Sequence, residues 1–427
     1  MKQSTAPVSG RQYGSRFGFP LVSPDGEKML FKSHRSGWIN YWVVPLAGGE
    51  ARQMAAQEAD QDHASWSPDG EWIVYTSNHN GTHDLRVVSS EGGEARVLVG
   101  PELGMCAGPE WSPDGSQISY CFSSKNRPKD LYVLTVEGGE VRQLTNSMPA
   151  GNFEDRLVLP EKISYSSPDG FTIPAYLYRP KNVGGGEKYP GIIWIHGGPT
   201  NQYEDDFQHQ PQSSQQSMNF FTQNGYVILQ PNIRGSSGYG KAFEKANNRC
   251  WGKCDLQDVL AGVEYLKSLP YVNPDKIAIT GRSYGANMTM AAVVHAPDVF
   301  QAAIAEGGYC AWENGILNDY PFKEVKLWEY DMGCLEGNEA LYQELSPIHH
   351  VEKVTTPIFV IHGEGKGPIV PDSRLFVEKL RKYYKTYRYK IYPNEGYMVM
   401  GTENRRQMLV DKLAFYDQFL KDQVEKT

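Results

Sequence analysis

The chain has 427 residues, 40% of them hydrophobic and 12% aromatic, which is enough to bury a sizeable core and, at about 150 residues per domain, to build two domains. Its formal net charge of −8 excludes a nucleic-acid surface, which needs a basic patch to neutralise phosphates. No run of about 18 apolar residues is present, so neither a spanning helix nor a membrane partner is expected.

The opening stretch, MKQSTAPVSGRQYGSRFGFP, lacks the apolar segment of a secretory signal. Six cysteines (Cys106, Cys121, Cys250, Cys254, Cys310 and Cys334) are scattered along the chain. Together these features predict a cytoplasmic protein with reduced thiols. Cys250 and Cys254 fit paired zinc-ligand spacing poorly and no Cys/His pair follows them, so neither a metal nor another cofactor is expected.

Internal repeats organise the first third. Ser23-Pro24-Asp25-Gly26 recurs as Ser67-Pro68-Asp69-Gly70 and as Ser112-Pro113-Asp114-Gly115, and Trp66 and Trp111 precede the last two. An alternating run follows each copy: KMLFKS, WIVYTS or QISYCFS. Each unit then closes with a second strand and a Gly-Gly-Glu turn, at Gly48-Gly49-Glu50, Gly92-Gly93-Glu94 and Gly138-Gly139-Glu140. Asp-Gly and Gly-Gly between alternating runs are hairpin signals, because such turns need positive φ. Four short strands per unit at this period predict propeller blades, and the units resemble TolB-type blades. Three blades make an incomplete propeller, placed in a domain at 1–150. Its open edges call for cover by the other domain or a second subunit, so a homo-oligomer, most simply a dimer, is expected. A fourth Ser-Pro-Asp-Gly, Ser167 to Gly170, lacks the later blade features and reads as the first hairpin of the next domain.

From about residue 155 the pattern changes. Continuous apolar strands (GIIWIHGG, YVILQPNIRG, KIAITGRS, AAIAEGG, PIFVIHGEG, YRYKIYP) alternate with helical stretches. Buried strands separated by helices predict a doubly wound, mostly parallel sheet, in a domain at 151–427.

Gly281-Arg282-Ser283-Tyr284-Gly285 follows the strand KIAIT and precedes the helical stretch ANMTMAAVVHAP. A nucleophile elbow needs that context of strand, strained turn and helix, which makes Ser283 the candidate nucleophile. Upstream, His196-Gly197-Gly198-Pro199 ends the strand GIIW. A glycine-rich loop there supplies one oxyanion-hole N–H and the residue after the nucleophile supplies the other, so Gly197 and Tyr284 are the expected donors.

These residues, together with Asn232-Ile233-Arg234-Gly235-Ser236-Ser237-Gly238-Tyr239-Gly240 and Trp251-Gly252, resemble the catalytic α/β-hydrolase domain of the prolyl oligopeptidase family, its acylaminoacyl-peptidase and dipeptidyl-peptidase branches in particular. The resemblance covers about residues 155–425. It implies attack of serine on a carbonyl, with a short peptide or an acylated small molecule as substrate. In some members the position of His196 is a tyrosine that assists the oxyanion hole, which implies the same task for the His196 imidazole.

The departures carry as much information. The family pattern His-Gly-x-x-Asp stands here as His362-Gly363-Glu364-Gly365-Lys366, with lysine at the acid position. The closing Glu-Gly-His stands as Glu395-Gly396-Tyr397, and no histidine follows His362. His349 and His350 precede a strand and His295 ends the helix after Ser283, so all three belong at the far end of the sheet. A tyrosine acts as a base only as a phenolate, and a neighbouring ammonium is what stabilises one. Moving a phenol from 10 to 7 takes about 4 kcal/mol. Ser283, Tyr397 and Lys366 thus form a charge-consistent alternative triad, with Glu364 and Asp372 as alternative acids in the same loop. Three readings stay open: a serine-dependent acyl or peptide hydrolase, a non-hydrolytic enzyme (lyase, cyclase or acyl transferase), and a non-catalytic binding protein. The acidic run Glu204-Asp205-Asp206 reads as a solvated turn or as an attractor of a substrate amino group.

Overall fold

The computed structural model describes residues 18–151, 153–183, 186–207, 214–317, 324–365, 369–396 and 398–422. Its first part is three antiparallel four-stranded meanders. The first comprises β1 (Leu21–Val22), β2 (Lys28–Ser33), β3 (Asn40–Pro45) and β4 (Arg52–Gln53). The second comprises β5 (Asp60–Trp66), β6 (Trp72–His79), β7 (Thr82–Ser89) and β8 (Arg96–Val99). The third comprises β9 (Met105–Trp111), β10 (Gln117–Ser124), β11 (Arg127–Thr135) and β12 (Val141–Gln143), and joins the second where His83 pairs with Met105.

The repeated Ser-Pro-Asp-Gly turns explain the register. In the first, Ser23 Oγ donates to Asp25 Oδ1 and accepts from Lys28 N at 2.9 Å, while Asp25 Oδ1 accepts from Glu27 N at 2.9 Å. Gly26, Gly70 and Gly115 take φ values of 76, 74 and 73°, a region closed to most side chains. Each repeat tryptophan ties its meander to the one before. Trp66 Nε1 donates to Leu21 O and Trp111 Nε1 to Ser65 O, both at 3.3 Å. Between the sheets, Leu30, Tyr41 and Val43 pack on Ile73, Tyr75 and Val88, and Val74 and Leu85 pack on Ile118, Tyr120, Tyr132 and Leu134.

The second part is an α/β-hydrolase sheet. Its strands are β13 (Glu161–Ser166), β14 (Thr172–Tyr178), β15 (Tyr189–Ile195), β16 (Val227–Pro231), β17 (Val272–Arg282), β18 (Ala302–Glu306), β19 (Ile358–Gly363) and β20 (Tyr387–Tyr392). The spatial order is β13-β14-β16-β15-β17-β18-β19-β20, antiparallel up to the β14–β16 pair and parallel from β16 on. The fourth Ser-Pro-Asp-Gly is the β13–β14 turn, and all six apolar runs are strands of this sheet.

The intervening helices are α1 (Gln215–Gln223), α2 (Gly240–Glu244), α3 (Cys254–Ser268), α4 (Tyr284–His295), α5 (Trp312–Leu317), α6 (Glu324–Met332), α7 (Glu339–Leu345), α8 (Ile369–Lys382) and α9 (Thr402–Leu420). One core lies under α3, α4 and α8, and another under α1 and α9. Among the described residues no helix is long and apolar enough to cross a membrane.

One expectation is corrected here. Cys250 and Cys254, expected as reduced thiols, form a disulfide with Cα atoms 5.6 Å apart. A turn closed by a hydrogen bond from Cys254 N to Cys250 O, 3.1 Å, brings the two residues within the reach of such a bridge.

Candidate active site

Ser283 sits between the last residue of β17 and the first of α4 with φ 58° and ψ −120°. A non-glycine residue there stores roughly 1–3 kcal/mol of strain, which persists only where the surroundings fix it. They do so through close backbone contact. A Cβ on Gly281 would meet Gly285 Cα at 2.7 Å, and one on Gly285 would meet His196 O at 2.9 Å. Ser283 N donates to Glu306 O and Asn287 N to Ser283 O, both at 3.0 Å.

The glycine-rich loop reaches the same point. A Cβ on Gly197 would lie 3.1 Å from Ser283 Cβ and 3.7 Å from its Oγ, so a side chain there would be tight against the nucleophile. The expected oxyanion donors, Gly197 and Tyr284, are therefore brought together with Ser283. His196 is buried, and its two ring nitrogens have partners within the domain: Nδ1 is 2.8 Å from Gly197 O and Nε2 is 2.9 Å from Ser236 Oγ. Below the loop, Asn232 Oδ1 accepts from Tyr203 N at 2.7 Å. Arg234 donates to Asp258 Oδ1 at 2.6 Å and Asp169 Oδ1 at 2.7 Å, which holds Asp169 down at about 2.

Two buried charge clusters behind the elbow were not foreseen. Glu306 Oε2 pairs with Lys412 Nζ at 2.6 Å, with side chains only 4% and 2% exposed. The sequence signals were a charge ending the apolar strand AAIAE and a lysine amid apolar residues of α9. The second is Asp255, fully buried, which accepts from the Tyr284 hydroxyl and from Gly252 N at 2.8 Å. Burial pushes its pKa up to about 6.

Lys366 and Tyr397 lie outside the described residues. Their chain neighbours touch: a Cβ on Gly365 would meet Gly396 Cα at 2.8 Å and Glu395 O at 2.9 Å. The alternative acids are engaged elsewhere. Glu364 is exposed and accepts from Asn394 N at 3.1 Å. Asp372 is buried and accepts from Cys310 N, Ala311 N and Asn314 Nδ2 at 2.9, 3.0 and 3.1 Å, which fixes the turn after β18. His295 and His350 lie with ring centroids 5.0 Å apart and planes tilted by 55° at the far end of α4, and burial, then His350, pushes His295 down to about 4. Among the described residues no group of three His, Cys, Asp or Glu side chains is placed to hold a metal ion.

Neither reading of the acidic run holds. Glu204 and Asp205 are 4% and 1% exposed, buried where the meanders meet the hydrolase sheet. Asp205 takes Thr82 Oγ1 at 2.5 Å, Lys162 Nζ at 2.8 Å and the Tyr176 hydroxyl at 2.8 Å, and its N–H donates to Gly81 O at 2.9 Å. Glu204 lies 3.3 Å from His83 Nε2, and Asp206 accepts from Ser123 Oγ at 2.8 Å. The run that continues the glycine-rich loop is thus the clasp that seats it on the meanders.

Comparison with known proteins gives the same picture. Residues 211–423 match the profile of the prolyl oligopeptidase family. The chain is 32% identical over 304 residues to the uncharacterized peptidase YuxL of Bacillus subtilis (strain 168), a match covering 70% of this chain and 44% of that protein. The chain therefore spans less than half the length of that relative. A crystal structure of puromycin hydrolase superposes with a TM-score of 0.85 at 21% identity, over 94% of this chain and 61% of that one. Pyrococcus horikoshii acylaminoacyl peptidase superposes with a TM-score of 0.78 at 25% identity, over 96% and 64%.

Proposed function

Because this chain belongs to the prolyl oligopeptidase family, we propose that it cleaves a short peptide or an acylated small molecule with Ser283 as the nucleophile. The observation that carries the reading is the strained Ser283 backbone with Gly197 packed against it. Ser283 Oγ attacks the substrate carbonyl, and the N–H groups of Gly197 and Tyr284 receive the developing oxyanion. The serine proton goes to a Tyr397 phenolate, which the Lys366 ammonium stabilises in place of the usual imidazole and carboxylate. The leaving group departs with that proton, and water then releases the acyl group from Ser283. Contact of Gly365 with Glu395 and Gly396 supports the pairing, since it brings together the segments that carry Lys366 and Tyr397.

A fluorophosphonate probe tests the nucleophile. The wild-type protein is expected to be labelled and Ser283→Ala to stay unlabelled. Equal labelling of both removes Ser283 from the mechanism, and no labelling of either over a wide pH range favours a binding protein.

A further inference from the structure

Where the third meander meets the hydrolase sheet, a cavity of about 400 Å³ opens between the β10–β11 hairpin, residues 101–103 and the β13–β14 pair. That volume suits a small-molecule site. Leu103, Phe122 and Leu159 give it apolar walls, and Lys125 and Arg127 bring positive charge.

Lys125 is the group that asks for a ligand. It is only 6% exposed, and its Nζ stands 4.7 Å from the centre of the Tyr176 ring. Among the described residues no oxygen accepts a hydrogen bond from this ammonium, although it has three donors to satisfy. The nearby carboxylates have donors of their own: Asp205 holds Thr82, Lys162 and Tyr176, Glu204 faces His83, and Asp206 holds Ser123. Burial therefore outweighs their attraction and brings Lys125 down to about 8. Arg127 is exposed at the same cavity and forms no ion pair among the described residues.

We propose that this cavity binds a small organic carboxylate with an apolar body, of the kind an N-acylated amino acid presents. Lys125 and Arg127 take the carboxylate in charge-assisted hydrogen bonds, and Leu103, Phe122 and Leu159 cover the apolar part. An N-acylated ligand fits better than a free amine, because the carboxylates near the site already hold donors.

Calorimetric titration of N-acetyl-L-leucine into the Ser283→Ala protein tests the site independently of whether Ser283 is reactive. The acid is expected to bind at least ten-fold more tightly than N-acetyl-L-leucinamide, and Lys125→Met to weaken it by at least ten-fold. Leu103→Trp, which fills the cavity from its exposed rim and leaves Lys125 in place, is expected to weaken it as well. Glu204, Asp205, Asp206 and Lys162 act on Lys125, and Arg127 and Glu102 line the cavity beside it; with Lys125 brought down to about 8, affinity is expected to fall about ten-fold from pH 7 to pH 9. Equal affinity for acid and amide, undiminished binding by folded Lys125→Met or Leu103→Trp, or no binding at about 10 mM acid overturns the proposal.

Discussion

Around Ser283 the chain is fixed from deep inside the domain, by glycine backbones in contact, a buried Glu306–Lys412 pair and a buried Asp255 under Tyr284. On the opposite side, the loops after β19 and β20 meet through Gly365 and Gly396, and the carboxylate nearest the acid position, Glu364, is exposed. The first region couples the nucleophile to the stability of the fold. The second joins two loops through backbone contact, with Glu364 and Gly396 exposed. On the proposed mechanism the base and its partner belong to the second region, so substitutions in the two regions should fail in different ways.

The largest effect is expected at the buried pair. Lys412→Met leaves Glu306 charged and unpaired, at a cost of about 3–5 kcal/mol in denaturant unfolding. Adding Glu306→Leu is expected to recover most of that loss, and a Lys412→Met protein as stable as wild type breaks the comparison. Asp255 comes next. Its folded pKa of about 6 lies above the ordinary 3.8, so the folded state holds the proton more tightly and stability falls as pH rises between them. Relative to wild type, Asp255→Asn is expected to gain up to about 3 kcal/mol between pH 4 and pH 6. An unchanged difference across that window places the ionisation elsewhere.

Reading the sequence located what local patterning encodes. Apolar runs marked the strands, Ser-Pro-Asp-Gly marked three meander turns and the β13–β14 turn, and strand–turn–helix context marked Ser283. Burial of polar groups was not legible, because it depends on partners far along the chain. Asp205 meets Thr82 across 123 positions and Lys412 meets Glu306 across 106, so a run that reads as a solvated turn becomes a clasp. The Cys250–Cys254 bridge escaped for another reason: scattered cysteines suggested free thiols, while a turn just before α3 set two of them together. That no histidine follows His362 was legible at once, since it needs only the order of residues.

The base side is where the smallest structural effect should accompany a large loss of reactivity. Tyr397→Phe is expected to unfold at the wild-type temperature, and Lys366→Met to move the alkaline limb of reactivity to higher pH by withdrawing the cation proposed to stabilise the phenolate. The direct measurement is the rate of fluorophosphonate labelling of Ser283 as a function of pH, in wild type and in Tyr397→Phe. The predicted result is a wild-type rate that rises through one limb and a Tyr397→Phe rate about 100-fold lower with no limb. A Tyr397→Phe protein labelled at the wild-type rate at every pH would contradict the assignment of Tyr397 as the base.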